Sequence, residues 1–325
     1  MPSLKRNFIG EKDLSRKIGS FKLAAEVVKS GNEETMQKMA QAVRMLADFA
    51  KDEYNLKNIA KLERSHMEDF ANYLLEKVDG NEISTGHTAN IISSLNSMFN
   101  YFYKDDLKLS AREYGLSRGK QFSGVDKSVS DDLHNKFVDF LMDKFTDSGD
   151  SRYEALRLQV ELQRNAGLRF KESALFSGRE LGRNGELSIS KGTKGGQPRT
   201  FNATDKQKEL ISSIKVFRKE SNFTKSLIPN NMSFKEWRHF AYYATKEFNN
   251  KNNTQYNFHG ERHHYAQNRY KELMGHEPPV KGMDSKEIPV KEENSSEIEY
   301  QARMQISEEL GHHRLDITSH YLGKG

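Results

Sequence analysis

Apolar side chains recur every three or four positions along the first third of the chain, which is the spacing of one buried helix face. Three helices are predicted, each from its own apolar series: Met36, Met39, Val43, Leu46 and Ala50; Met67, Phe70, Leu74 and Val78; and Ile91, Leu95, Met98 and Phe102. Asn32 is expected to cap the first helix, and a capping box of Ser65 and Glu68 is expected to begin the second. The apolar series form a core, and the pattern predicts a small helical domain over residues 1–106.

Residues 107–129 break this pattern with polar and basic side chains and several glycines, as an exposed connection between domains would. A second domain, residues 130–325, has helical patterns over 131–146, 151–165, 205–218 and 233–249. Residues 186–203 alternate apolar and polar around a Gly-rich centre, which predicts a β-hairpin. The chain is therefore predicted to be mainly α with a small antiparallel β-sheet.

Three local features of the second domain have a defined structural meaning. A capping box of Ser233 and Glu236 is expected to begin the helix over 233–249. Gly311 is expected to end a helix in the left-handed conformation, and Asp316 to cap a short helix after it. Residues 275–297 hold four of the six prolines and are expected to form an exposed loop.

Composition limits the chemistry that the chain can perform. The formal charge of +5 and the pI near 9.0 suit a phosphate-binding surface, and they suit an ordinary basic protein equally well. The absence of cysteine excludes disulfides, Cys-ligated zinc and a thiol nucleophile. No apolar run approaches the roughly 18 to 20 residues of a membrane span, and the first residues lack the apolar centre of a signal peptide. We expect a protein that stays inside the cell and has no membrane partner.

Four separated segments carry groups suited to phosphoryl transfer. In order they are NAGLRFKESALF at 165–176, SKGTKGGQPR at 190–199, HGERHHYA at 259–266 and ELGHHRLDITSHYLG at 309–323. Each segment alone has an ordinary structural explanation, such as a surface arginine, a solvated lysine or a packed tyrosine. Four such segments in one order over about half of the chain are far more specific than any one of them.

These segments resemble the four catalytic boxes of the tyrosine recombinases, a family that includes phage integrases. The matching residues are Gly167, Leu168, Arg169 and Glu172; Lys194, Gly195 and Arg199; His259, Arg262 and His263; and Leu310, Gly311 and His312, followed nine residues later by Tyr321. The resemblance implies a two-domain DNA clamp, in which the helical domain binds the opposite side of the DNA from the catalytic domain.

The resemblance also implies a catalytic set: Arg169, Lys194, His259, Arg262, His312 and Tyr321. In this family the tyrosine attacks DNA and forms a 3′-phosphotyrosyl bond, and two arginines, which are planar and permanently charged, hold the phosphate oxygens. The hairpin lysine acts as general acid, the first histidine accepts a proton or contacts the phosphate, and the last donates a hydrogen bond to it. No cofactor and no metal are required.

Further expectations follow from the family. The partners would be duplex DNA with paired recombination sites, other copies of the chain in a homo-tetramer, and DNA-bending accessory proteins. The setting would be the bacterial cytoplasm, and the biological role integration or excision of a mobile element. Three features depart from the family pattern: Glu261 replaces an apolar residue, residues 267–309 are longer than usual, and only a short segment follows Tyr321.

Other interpretations remain open at this point. A DNA-binding regulator of the same fold would keep the clamp without the reaction, and a type IB topoisomerase would use the same tyrosine chemistry on one duplex. The third alternative is a metal nuclease with ligands among His259, His263 and His264. The DNA target and the choice between integration, excision and resolution are not encoded in a pattern that one sequence reveals.

Overall fold

The computed structural model describes residues 34–101, 105–116, 125–282 and 295–323. These fall into two compact units, one within Met1–Gln121 and the other within Phe122–Gly325. Asn32 and Phe102, two residues of the predicted first and third helices, lie outside the described residues.

The first unit is built from the three predicted helices, α1 (Glu34–Tyr54), α2 (Arg64–Asp79) and α3 (Thr85–Tyr101), with 3₁₀ turns at Ile59–Lys61 and Asp105–Leu107. The apolar faces predicted from the sequence meet in one core, which includes Val43, Leu46, Phe70, Leu74, Leu95 and Met98. Burial of these side chains is what holds short helices together in water.

Two expectations for this part of the chain are wrong. Helix α2 begins at Arg64, because Glu63 and His66 form the capping box and Ser65 already lies inside the helix. Leu107, Leu109 and Leu116 are buried in the core of the first unit, so the beginning of the predicted linker is packed rather than exposed.

The second unit contains the predicted hairpin and eight helices among its described residues. These helices are α4 (Asp131–Ser148), α5 (Ser151–Ala166), α6 (Phe170–Ala174), α7 (Asp205–Glu220), α8 (Phe234–Asn252), α9 (Phe258–Met274), α10 (Ser295–Glu309) and α11 (Leu315–Leu322). Strands β1 (Glu186–Ile189) and β2 (Arg199–Asn202) pair antiparallel, with Ile189 opposite Arg199. The prediction of a mainly α fold with a small antiparallel sheet is confirmed.

Helix α5 occupies the centre of the second unit and fixes the position of the site at its end. Apolar side chains on two of its faces enter two clusters, with Leu156 and Val160 in one and Leu158 and Leu162 in the other. Gln159, buried between them, accepts a hydrogen bond from Trp237 Nε1 at 2.7 Å. A central helix that is packed on opposite faces provides a rigid base for the residues that follow it.

The remaining predictions for this unit have mixed outcomes. The capping box of Ser233 and Glu236 begins α8 as expected. Of the predicted loop over 275–297, the described part contains a 3₁₀ turn at Pro279–Lys281, and α10 starts at Ser295. None of the helices in the described ranges is both long enough and apolar enough to span a lipid bilayer.

Candidate active site

The end of α5 positions Arg169. Gly167 ends this helix with φ +61°, and a Cβ at this position would lie 2.4 Å from Tyr265 Cδ1 and 2.9 Å from Leu310 Cδ2. Only glycine meets both the backbone conformation and the close approach. The chain then turns into α6, whose N-cap is the half-buried Arg169.

Glu172 anchors Arg169 and joins it to the hairpin. One carboxylate oxygen accepts from Arg169 Nη1 at 2.8 Å, and Arg199 holds both oxygens at 2.9 and 2.7 Å. Arg199 also donates to the backbone oxygen of Glu309 at 2.7 Å. Burial of the Glu172 carboxyl opposes ionisation, but the hydrogen bonds and charges of Arg199 and Arg169 overcome it and lower its pKa to about 2.

Arg262 projects from the first turns of α9 into the interior and is 1% exposed. Its guanidinium donates to the backbone oxygen of Gly167 and, at 2.6 Å, to that of Leu310. Both oxygens lie just beyond helix ends, where the helix dipole favours a cation. Burial lowers the pKa of Arg262 to about 10, so the side chain remains charged at neutral pH.

Tyr321 lies on α11 with its hydroxyl at the centre of the cluster. The hydroxyl accepts from Arg262 Nε at 3.2 Å and is 3.4 Å from His312 Nε2. The same nitrogen of His312 is 3.1 Å from Arg262 Nη2 and 3.5 Å from Arg169 Nη2. Because guanidinium nitrogens only donate, His312 Nε2 is the acceptor and its ring proton is on Nδ1. In this state His312 is therefore an acceptor, whereas the family resemblance led us to expect a donor.

Two further histidines pack against the tyrosine ring. The ring of buried His263 is 4.5 Å from that of Tyr321, and the ring of His259, exposed at the edge of the site, is 6.0 Å away. Partial burial of the imidazoles, together with nearby positive charge, lowers the pKa of His259 to about 4 and those of His263 and His312 to about 3. All three imidazoles are thus neutral at pH 7.

Of the six predicted site residues, the structure brings five into one cluster and places the sixth on the hairpin. Lys194 is exposed in the 3₁₀ turn Lys194–Gly196 that connects β1 to β2. It stands outside the hydrogen-bonded cluster, although its charge contributes to the lowered pKa of His312. Arg199, the other basic residue of the second box, is committed to Glu172.

The local predictions around Tyr321 are half right. Gly311 has φ +67° as expected, and it turns the chain at the end of α10 toward His312. The Asp316 cap is wrong, since α11 begins at Leu315 with Arg314 as its N-cap residue. The Ser307 hydroxyl accepts from the Arg314 backbone nitrogen and donates to its backbone oxygen, both at 2.9 Å, which fixes the helix start.

Two buried polar groups were missed by the sequence analysis. Gln267 Nε2 donates to Asp126 Oδ1 at 2.7 Å and to the backbone oxygen of Tyr321 at 3.2 Å, which ties α9 to α11. Glu261, noted only as a departure from an apolar position, is fully buried and paired with Arg164. Their partners are distant in the sequence, so no local pattern indicates them.

The histidines of α9 do not form a metal site in the described part of the chain. No group of three His, Asp or Glu residues in the described ranges is arranged to hold a metal ion. His264 instead lies against Arg164, with 3.1 Å between its Nδ1 and the guanidinium.

Comparisons with known proteins agree on the fold. A family model described as integrase matches residues 124–268. The structure is similar to that of the Tn1549 transposon integrase in complex with transposon right end DNA, with a TM-score of 0.56 and 12% identity over 94% of this chain and 95% of the other. It is similar also to the XerH site-specific recombinase bound to difH substrate in a pre-cleavage complex, with a TM-score of 0.57 and 16% identity over 93% and 81%. A search of curated protein sequences finds no match.

The second unit therefore has the fold of the integrases and recombinases that act on DNA strands. Residues 124–268 within it match the integrase family, and the fold is that of the tyrosine recombinases and integrases.

Proposed function

We propose that this chain is a site-specific DNA recombinase that cleaves and rejoins duplex DNA through a 3′-phosphotyrosyl bond to Tyr321. One observation carries the proposal: the Tyr321 hydroxyl lies 3.2 Å from Arg262 Nε and 3.4 Å from His312 Nε2. A phosphate held by Arg262 would therefore meet the hydroxyl directly. Because the hydroxyl and the phosphate would be held side by side, the attack would become effectively unimolecular.

Two arginines supply the binding site for the reacting phosphate. Arg169 and Arg262 approach the same atom, His312 Nε2, at 3.5 and 3.1 Å, so their guanidinium groups converge on one point. Attack by tyrosine adds negative charge to the non-bridging oxygens of the phosphate. Converging cations in a buried site stabilise that charge more than they would in water.

Cleavage requires one group to accept the proton of Tyr321 and another to protonate the leaving oxygen. A neutral imidazole, His312 or His259, accepts the Tyr321 proton as the bond between phosphorus and the tyrosine oxygen forms. The bond between phosphorus and the 5′ oxygen breaks, and Lys194 on the hairpin turn delivers a proton to the leaving oxygen. Rejoining is the reverse reaction with a new 5′ hydroxyl, and it needs no ATP because the phosphotyrosine retains the energy of the broken bond.

The partners belong to the same proposal. Duplex DNA with paired recombination sites is the substrate, four copies of the chain assemble on it, and accessory proteins bend it. The DNA bound in the related structures, transposon right end DNA for the Tn1549 integrase and difH for XerH, supports a DNA substrate. Integration or excision of a mobile element is the proposed biological outcome.

The test is a covalent trapping experiment with a matched tyrosine variant. Duplexes retained by the Tyr321→Phe protein are selected from a random pool, nicked near their centre, and incubated with either protein, both with and without EDTA. We expect an adduct that survives detergent from the wild type only. Adducts from both proteins would assign the nucleophile to another residue, and no adduct on bound DNA would favour a silent regulator. An adduct or cleavage that EDTA abolishes would favour a metal nuclease.

A further inference from the structure

A buried ionic cluster links α5, which ends just before Arg169, to α9, which carries Arg262. Glu261 is 0% exposed and accepts from Arg164 Nη1 at 2.6 Å, and the Arg164 side chain is 8% exposed. The other Glu261 oxygen is 2.9 Å from His134 Nδ1. The cluster therefore joins α4, α5 and α9 through polar contacts in the interior.

The two ends of this ion pair are close in sequence to the two phosphate-binding arginines. Arg164 precedes Arg169 by five residues across the end of α5, and Glu261 is the neighbour of Arg262 on α9. Any shift between α5 and α9 would change the separation of Arg169 and Arg262. The ion pair opposes such a shift because its hydrogen bonds have a fixed length and direction.

Further contacts make the geometry of the pair specific. Arg164 also donates to the backbone oxygen of Val129 at 3.3 Å and to the carboxylate of Asp131. Although burial opposes it, hydrogen bonds with Glu161 and Glu261 raise the pKa of His134. Arg164, Glu261 and His134 are thus each paired with a side chain on another helix, and a buried network of this kind favours one arrangement of its helices.

Stability alone does not account for the pair. Removing two charges from water costs about as much as their attraction returns, and apolar side chains of similar volume fill such a space equally well. Arg262 also donates to the Gly167 backbone oxygen and so would hold α5 against α9 by itself. With a separate link between these helices, Arg262 can exchange its backbone partners for a phosphate without loss of register.

We infer that the Arg164–Glu261 ion pair is a positioning device that sets the distance between Arg169 and Arg262 in the complex with DNA. The inference rests on the proposed function, because it concerns the phosphate held by those two arginines. Arg164 and Glu261 are positioning residues, and the hydrogen-bond partners of the Tyr321 hydroxyl are Arg262 and His312 instead.

The test replaces the pair by apolar residues of similar size, Arg164→Met with Glu261→Leu, so that no unpaired charge remains buried. We expect a folded protein whose DNA affinity stays within about twofold of wild type, since other contacts to the DNA backbone dominate binding. Its single-turnover cleavage rate on the nicked duplex should fall by about tenfold to a hundredfold, the effect of misplacing reacting groups by a fraction of an ångström to one ångström. The single variant Glu261→Gln keeps the shape of the side chain and one accepting oxygen. It should therefore cleave faster than the double variant and more slowly than the wild type.

The control removes another ion pair between helices of the same unit, Lys144→Met with Glu247→Leu, which joins α4 to α8 and whose side chains are each 34% exposed. This control should cleave at the wild-type rate. Cleavage by the Arg164 and Glu261 double variant at the control's rate would overturn the inference. So would a loss of cleavage matched by an equal loss of DNA affinity or of folded protein. No adduct from the wild type would instead overturn the proposed function and, with it, the inference.

Discussion

Glu172 is the carboxylate on which the arrangement of Arg169 and Arg199 depends, and replacing it by glutamine should expose that dependence as a change in pH-dependent stability. The side chain is 0% exposed, and its pKa is lowered to about 2 from an ordinary value of 4.5. At about 1.4 kcal/mol for each unit of pKa, this corresponds to about 3 kcal/mol of folding free energy at pH 7.

The sign follows from the direction of the shift. Since the pKa of Glu172 is lower in the folded state, the stabilisation is fully present above pH 4.5 and is lost as the pH falls toward 2. Glutamine has the same shape and does not titrate. The difference in unfolding free energy between wild type and Glu172→Gln should therefore be largest at pH 7. By pH 3, the part of this difference that depends on the charge of Glu172 should have fallen to roughly half or less of its value at pH 7.

Urea denaturation followed by the fluorescence of Trp237 measures this difference. Trp237 is the single tryptophan of the chain, and it is buried in the second unit, so its signal reports on the unit that contains Glu172. The exposed Glu308 provides a control, since Glu308→Gln removes a carboxylate without removing a buried partner. A difference between wild type and Glu172→Gln that stays constant from pH 7 to pH 3 would refute the reasoning.

Three further predictions follow from the contacts of the site. Gly167→Ala should lower the unfolding free energy, measured by urea denaturation, by about 2 to 4 kcal/mol, because alanine is strained in the left-handed conformation and its Cβ would clash with neighbouring side chains. Gly149→Ala has the same left-handed backbone but open space around it, so it should lower the unfolding free energy by only about 1 kcal/mol. The His312 imidazole should remain neutral in NMR spectra of the free protein down to pH 5, because its pKa is lowered to about 3; protonation near pH 6.5 would contradict this. Gln267→Leu should destabilise the second unit by about 1 to 3 kcal/mol and slow adduct formation by Tyr321, and an unchanged rate would remove the proposed role of this tie.

Much of the fold follows from periodicity alone. The apolar series of α1 to α3 and the alternating segment around Lys194 predicted the right elements, because burial of one face dominates both patterns. Helix starts were less predictable. Ser65 and Asp316 both have good capping side chains, but Glu63 with His66 begins α2, and contacts of Ser307 fix the start of α11.

The candidate site was also predictable only in part. The order of four motifs located Arg169, Arg262 and Tyr321 in the sequence, and the structure places them in one cluster. The buried partners were not visible, because Arg164 and Glu261 are 97 residues apart and the motifs specify a charged side chain at neither position. Pairing across such a separation is a property of tertiary packing, on which local pattern carries no information.

The electrostatics of the site distinguish its two fully buried arginines. Arg199 is neutralised by Glu172, whereas in the described part of the chain no carboxylate pairs with Arg262, whose charge is met by the backbone oxygens of Gly167 and Leu310. Backbone oxygens stabilise a cation through partial charges and leave a net positive charge in the interior. An arrangement of this kind costs free energy until an anion enters. A phosphate diester beside Tyr321 would bring one negative charge and two free oxygens. It would therefore give Arg262 an anionic partner that can accept two hydrogen bonds from a guanidinium.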